Sequence, residues 1–207
     1  MSISWINRRT ILAATLACVA TWGHAHAQLD QPVPTFTAPT ADGSGLNLAS
    51  LKGKTVVLEW TNHECPYVRK HYSSGNIPAV QKEAIAKGFV WLQVISSAPG
   101  KQGYVDGATA IKVNAERGSV PTGTILDPKG DIARLYGAQT TPHIYIINPQ
   151  GILVYKGGID SIASNKPADI AKADNYVRAA IGELVAGKVV SQSNTKPYGC
   201  SIKYADS

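Results

Sequence analysis

Apolar and polar positions follow two periods along this chain, and the changes of period mark its elements. Residues 55–61 (TVVLEWT) are apolar at both parities, the pattern of a strand covered on both faces, as in a parallel sheet. Residues 89–96 (FVWLQVIS) read as a second buried strand. Residues 123–126 predict a shorter strand ending in the turn Asp127-Pro128-Lys129-Gly130. Residues 143–148 (HIYIIN) and 152–156 (ILVYK) flank Pro149-Gln150-Gly151, and two apolar runs about such a turn predict a hairpin.

Helical stretches lie between these strands. Residues 66–87 predict helix in two pieces, interrupted near 73–78 by Gly75 and Pro78. Residues 104–117 are weakly helical, and 131–136 form a helix stopped by Gly137. Residues 168–186 predict the last helix, with Ile170, Tyr176, Val177, Ala180, Ile181 and Leu184 in an apolar stripe. Residues 28–45 carry Pro32, Pro34 and Pro39, then Asp42-Gly43-Ser44-Gly45, and read as an extended arm and a turn; 46–51 suit a short helical turn. Strands alternating with helices, closed by a hairpin and a helix, predict an α/β fold with a central mixed sheet.

The first residues change the compartment. Arg8-Arg9 precede the apolar run 11–20, and Ala25-His26-Ala27 offers a small-x-small cleavage site before Gln28. Residues 1–27 therefore read as an export signal, of twin-arginine or ordinary secretory type, and the expected location is periplasmic or secreted. Cleavage leaves residues 28–190 as one domain and 191–207 as a C-terminal tail, with no stable membrane anchor after processing. It also lowers the formal charge from +6 to +4. The basic residues are scattered, which argues for solubility and against a nucleic-acid partner. Of three cysteines, Cys18 leaves with the signal, so Cys65 and Cys200 remain. An oxidising compartment pairs such thiols or uses them.

Cys65 is the candidate centre. The strand 55–61 runs into Asn62-His63-Glu64, then Cys65, then Pro66, a residue suited to the first helical position because the amide it lacks has no intrahelical partner there. Cysteines at helix N-termini can fall from a pKa of about 8.5 to roughly 3.5–7.5, which makes a nucleophile of an inert thiol. Arg69, one turn along at i+4, and the histidines His63 and His143 are candidates to supply positive charge or take a proton. His71 reads as helix surface, and Trp60 and Trp91 read as core.

The order strand–Cys–helix–strand–helix–Thr-Pro–hairpin–helix resembles the thioredoxin superfamily. Leu58-Glu59-Trp60, Cys65-Pro66, Tyr136-Gly137-Ala138-Gln139-Thr140-Thr141-Pro142 and Ile146-Ile147-Asn148-Pro149-Gln150-Gly151 carry the likeness, over about residues 35–186. Within the superfamily the chain is similar to redoxins of the hydroperoxide-reductase/thiol-specific-antioxidant group. The resemblance implies a cis Pro142 facing the reactive sulfur, with the Thr141 backbone and His143 at the substrate edge. It also implies Glu59 as a buried acid that moves the thiol's proton, the alternative being an exposed or salt-bridged strand end. Two departures stand out. Cys65-Pro66-Tyr67-Val68 replaces Cys-x-x-Cys, so no local dithiol forms. A peroxidatic cysteine would fall at Val68, with Asn62 in the run before it, so the likeness is one of fold more than of peroxidase chemistry.

Three readings stay open. In the first, Cys65 attacks a disulfide or small peroxide and Cys200 resolves the product; this needs no cofactor, a thiol/disulfide protein or peroxide as substrate and a reducing thiol partner. In the second, His63, Cys65 and His143 hold Cu(I) or Zn(II). In the third, the fold is non-catalytic and Cys65–Cys200 is a structural disulfide.

Overall fold

The computed structural model describes residues 26–205. The export signal expected over residues 1–27 falls, up to residue 25, outside the described residues. The elements in chain order are β1 (Thr37–Pro39), β2 (Gly45–Asn47), β3 (Val56–Trp60), α1 (Pro66–Ser73), α2 (Asn76–Ala86), β4 (Val90–Ile95) and α3 (Gly107–Glu116). They continue with β5 (Gly123–Leu126), α4 (Asp131–Tyr136), β6 (Thr140–Thr141), β7 (His143–Ile147), β8 (Leu153–Gly157), α5 (Tyr176–Val185) and β9 (Cys200–Ser201). The central sheet has the order β5-β4-β3-β7-β8. β3 runs parallel to β4 and antiparallel to β7, so the sheet is mixed.

Every residue of β3 and β4 is buried, as their uninterrupted apolar runs require of strands covered on both faces. Alternation then sorts the side chains. Leu58 and Trp60 join Tyr145 and Ile147 in one core beneath the N-terminal arm and α4. Val57 joins Ile144 and Ile146 in the other, with Val68 and Tyr72 of α1, Ile77 and Val80 of α2, and Val177 and Ala180 of α5. Trp60 and Trp91 are core residues, both fully buried.

α1 and α2 are the two expected pieces, and Gly75 at φ +72 turns the chain between them. Pro78 stands inside the first turn of α2, where a missing amide costs no intrahelical bond. Three expectations need correction. Residues 167–172 form a 3-10 turn, and α5 starts at Tyr176 because the Asn175 side chain caps the Arg178 amide. The arm contains a small hairpin, β1 paired with β2, where the sequence pattern predicts only an extended segment and a turn. His71 is fully buried, not on the helix surface.

Candidate functional site around Cys65

The loop after β3 delivers Cys65 by hydrogen bonds rather than by chance geometry. Asn62 is buried; its Oδ1 accepts the Glu64 amide at 2.9 Å, and its Nδ2 donates to the Gln102 carbonyl at 3.2 Å. The Cys65 amide donates back to the Asn62 carbonyl at 3.1 Å. This side-chain-to-backbone turn is the Asx type, and it sets Cys65 as N-cap of α1 with Pro66, exposed, at the first helical position. The sulfur itself makes no capping bond to the helix amides. Instead Cys65 Sγ donates to the Thr141 carbonyl at 3.2 Å, and the residue has no solvent exposure.

Thr141 precedes Pro142, and the bond between them is cis. The short strand β6 at Thr140–Thr141 is paired antiparallel with β9 of the tail, Thr141 opposite Cys200 and Thr140 opposite Ser201. That pairing brings the two cysteines together. Both are free thiols, Cys65 buried and Cys200 partly exposed. Burial, then a hydrogen bond and charge interaction with Cys65, push the Cys200 thiol up to about 12. Cys200 is therefore a thiol at neutral pH.

The remaining candidates are placed apart from the sulfur. Glu59 is fully buried in the same layer as Cys65, not at an exposed strand end. Its carboxylate accepts from Tyr72 Oη at 2.6 Å, Trp91 Nε1 at 2.8 Å and Gln81 Nε2 at 3.1 Å. Its hydrogen bonds among the described residues thus go to core donors rather than to the thiol. His143 is buried and packs its ring, tilted by 43°, against Tyr145 at 4.6 Å between centroids. Residues of that parity on β7 face the core opposite to Cys65. Burial lowers the His143 pKa to about 3, and its Nδ1 accepts the Gln139 amide at 3.3 Å. His63 is half-buried and its pKa is lowered by that burial. Arg69 is exposed and donates to the His63 carbonyl at 3.2 Å. His63 and Arg69 line a cavity of about 520 Å³ with Val68, Tyr72, Val113 and Arg117, beside the loop and without Cys65 among its walls. With His143 in the opposite layer, His63, Cys65 and His143 are not gathered around one point. Among the described residues no three His, Cys, Asp or Glu side chains are grouped to hold a metal ion.

Behind α1 lies a buried polar cluster that the sequence pattern does not signal. Lys70 and His71 of α1 meet Asp160 and Tyr198 there, with Lys70 Nζ at 3.3 Å from Asp160 Oδ2 and 3.0 Å from the Ile162 carbonyl. Lys70-His71 on a short helix carries the look of a solvated face, and Asp160 lies ninety residues away, so no local signal pairs them. The run Tyr198-Gly199-Cys200 was visible, but not the edge it docks on.

A mixed five-stranded sheet, a cysteine at the mouth of the first helix and a cis-proline loop opposite it define a thioredoxin-like fold with a thiol site. The chain belongs to the AhpC/TSA family, whose model matches residues 29–156. A Coxiella burnetii protein assigned as peroxiredoxin bcp is 25% identical over 163 residues, 76% of this chain and 98% of that protein. Among solved structures, an uncharacterised conserved protein from Geobacillus kaustophilus superposes with a TM-score of 0.73 at 24% identity, over 87% of this chain and 94% of that one. A Chlorobium tepidum protein assigned as thiol:disulfide interchange protein DsbE shares the fold with a TM-score of 0.51 at 24% identity, over 63% of this chain and 84% of its own.

Proposed function

We propose that this protein is an exported thiol-disulfide oxidoreductase of the redoxin type, with Cys65 as nucleophile and Cys200 as resolving thiol. The observation that carries the reading is the placement of both cysteines on one peptide: Cys65 Sγ donates to the Thr141 carbonyl, and Cys200 stands opposite Thr141 in the β6–β9 pair. Export rests on the signal read in residues 1–27.

The Cys65 thiolate attacks one sulfur of a substrate disulfide. The S–S bond breaks, the departing sulfur leaves as a thiolate and takes a proton, and Cys65 holds a mixed disulfide. Cys200, deprotonated as it attacks, displaces the second substrate thiol from the Cys65 sulfur and forms the Cys65–Cys200 disulfide. An external thiol reductant returns the pair to two thiols. A small hydroperoxide is the second substrate class, favoured by the family and by the Coxiella relative. There the Cys65 thiolate takes the terminal oxygen, an alcohol or water departs, and Cys200 displaces water from the sulfenic acid.

The test uses both single variants. Cys65→Ser is expected to abolish turnover of insulin-type disulfides and of hydroperoxides. Cys200→Ser is expected to stall at Cys65, as a mixed disulfide or sulfenic acid seen by mass spectrometry without reductant. Equal activity of wild type and Cys65→Ser on both substrates overturns the reading.

A further inference from the structure

The edge beside Pro142, where an extended polypeptide would pair with the thiol site, already carries a strand, and it is the chain's own. Thr141 faces Cys200 and Thr140 faces Ser201 in antiparallel register. The approach is close. Gly199 adopts φ +144, and a Cβ built there runs into the Thr141 carbonyl. Only glycine lets the backbone in at that distance.

One residue earlier, the Tyr198 hydroxyl is fully used. It donates to Asp160 Oδ1 and accepts from Lys70 Nζ at 3.2 Å. The third bond follows from the amide orientations. Asn175 Nδ2 donates to Asn76 Oδ1 at 3.2 Å, which leaves the Asn76 NH2 to donate to His71 Nδ1 at 2.8 Å. The His71 proton then lies on Nε2, which donates to Tyr198 Oη at 3.0 Å. Lys70, His71 and Asp160 are all buried, so the phenol closes a set of polar groups that water does not reach. The segment is also fixed on either side. The Gly158 amide donates to Thr195 Oγ1 at 3.1 Å, the Ile202 amide donates to the Gln139 carbonyl at 3.2 Å, and the Ala98 amide donates to the Lys203 carbonyl at 2.8 Å.

We propose that residues 198–202 form a resident strap that fills the peptide edge of the thiol site in the manner of an extended substrate, with Tyr198 and Gly199 as positioning residues that seat Cys200 against Cys65. The assignment rests on Cys65 and Cys200 being the working pair. The strap presents Cys200 from within the molecule and shields Cys65. A foreign chain pairs with Thr141 only after the strap lifts.

The full chain tests this. In Cys200→Ser, alkylation of Cys65 by iodoacetamide, followed on its own peptide by mass spectrometry, is expected to be slow relative to the urea-unfolded chain. Adding Gly199→Ala or Tyr198→Phe is expected to speed it at least about tenfold, the size of effect that loss of a hydrogen bond to charged groups supports. In the Cys200-containing chain, the two thiols pass two electrons and two protons to glutathione disulfide, giving two glutathione thiols and the Cys65–Cys200 disulfide. Tyr198→Phe is expected to lower that equilibrium constant by a similar factor. A merely structural Tyr198 would lower thermal stability and leave both readouts unmoved, which overturns the proposal. So does a Cys65 that alkylates in Cys200→Ser as fast as in the unfolded chain. If Gly199→Ala does not fold, Tyr198→Phe decides alone. Retained activity in Cys65→Ser would instead sink the redox reading while the alkylation rates still report on the strap.

Discussion

At the level of single residues, Glu59 separates two roles that look alike in a sequence. An acid six residues before a reactive cysteine suggests a proton carrier, but its oxygens here satisfy the donors of Tyr72, Gln81 and Trp91. The indole N–H can only donate, so that bond needs an acceptor whatever the other two groups do. Glu59→Gln keeps the volume and turns one acceptor position into a donor. We expect it to lower the unfolding free energy by about 1–3 kcal/mol, the cost of a buried polar group left unsatisfied, as read by urea denaturation. The pH profile of Cys65 alkylation in the Cys200→Ser chain should stay where it is. A displaced profile with unchanged stability would restore Glu59 to proton transfer.

Among the elements, α1 joins everything that matters to the site, with Cys65 at its mouth, Val68 and Tyr72 in the core, and Lys70 and His71 reaching the tail. Its two ends were unequally legible in the sequence. Cys65-Pro66 after an apolar strand marks the start of the helix and the site, because cap preferences and apolar periodicity are local. The sheet strands and the hairpin were legible for the same reason. What Lys70 and His71 do depends on Asp160 and Tyr198, and β9 exists only because Thr140–Thr141 supplies its partner. Two-residue strands have no period to read. The value of that long-range contact can be measured. Lys70→Met leaves the buried Asp160 carboxylate without its cation and is expected to cost about 3–5 kcal/mol. Arg178 and Glu83 make shorter contacts, 2.8 and 2.9 Å. Their side chains are 45% and 50% exposed, however, and Arg178→Ala should cost only about 1 kcal/mol or less. Urea unfolding of the two variants side by side checks the ordering, and equal losses would mean that Lys70 contributes no more than a surface charge.

For the whole molecule, the histidines buried in the two cores make acid a direct threat to the fold. Burial lowers His71 to about 4, against the pull of Asp160, and lowers His143 to about 3. Both rings are neutral in the folded chain at pH 5, whereas in the unfolded chain they titrate near about 6.5. Between those values the unfolded state binds more protons, so stability rises with pH through this window and falls as acid is added. The loss begins below about pH 6.5 and is complete for each ring only below its folded value. For His71 alone the displacement corresponds to roughly 3 kcal/mol, and His143 adds a contribution of the same sign. The buried Asp127 works the other way, since burial raises its pKa and its protonation favours the folded state; one carboxyl opposes two imidazoles and does not reverse the slope. Urea midpoints taken at pH 7, 5.5 and 4.5 should therefore fall steadily, and the strap should loosen with the fold because His71 is one of its anchors. Cys65 alkylation in the Cys200→Ser chain, taken as a ratio to the urea-unfolded chain at the same pH so that the falling thiolate fraction is divided out, would then quicken across the same window. Midpoints that stay level from pH 7 to 4.5 would mean that the two imidazoles gain their protons without leaving their cores.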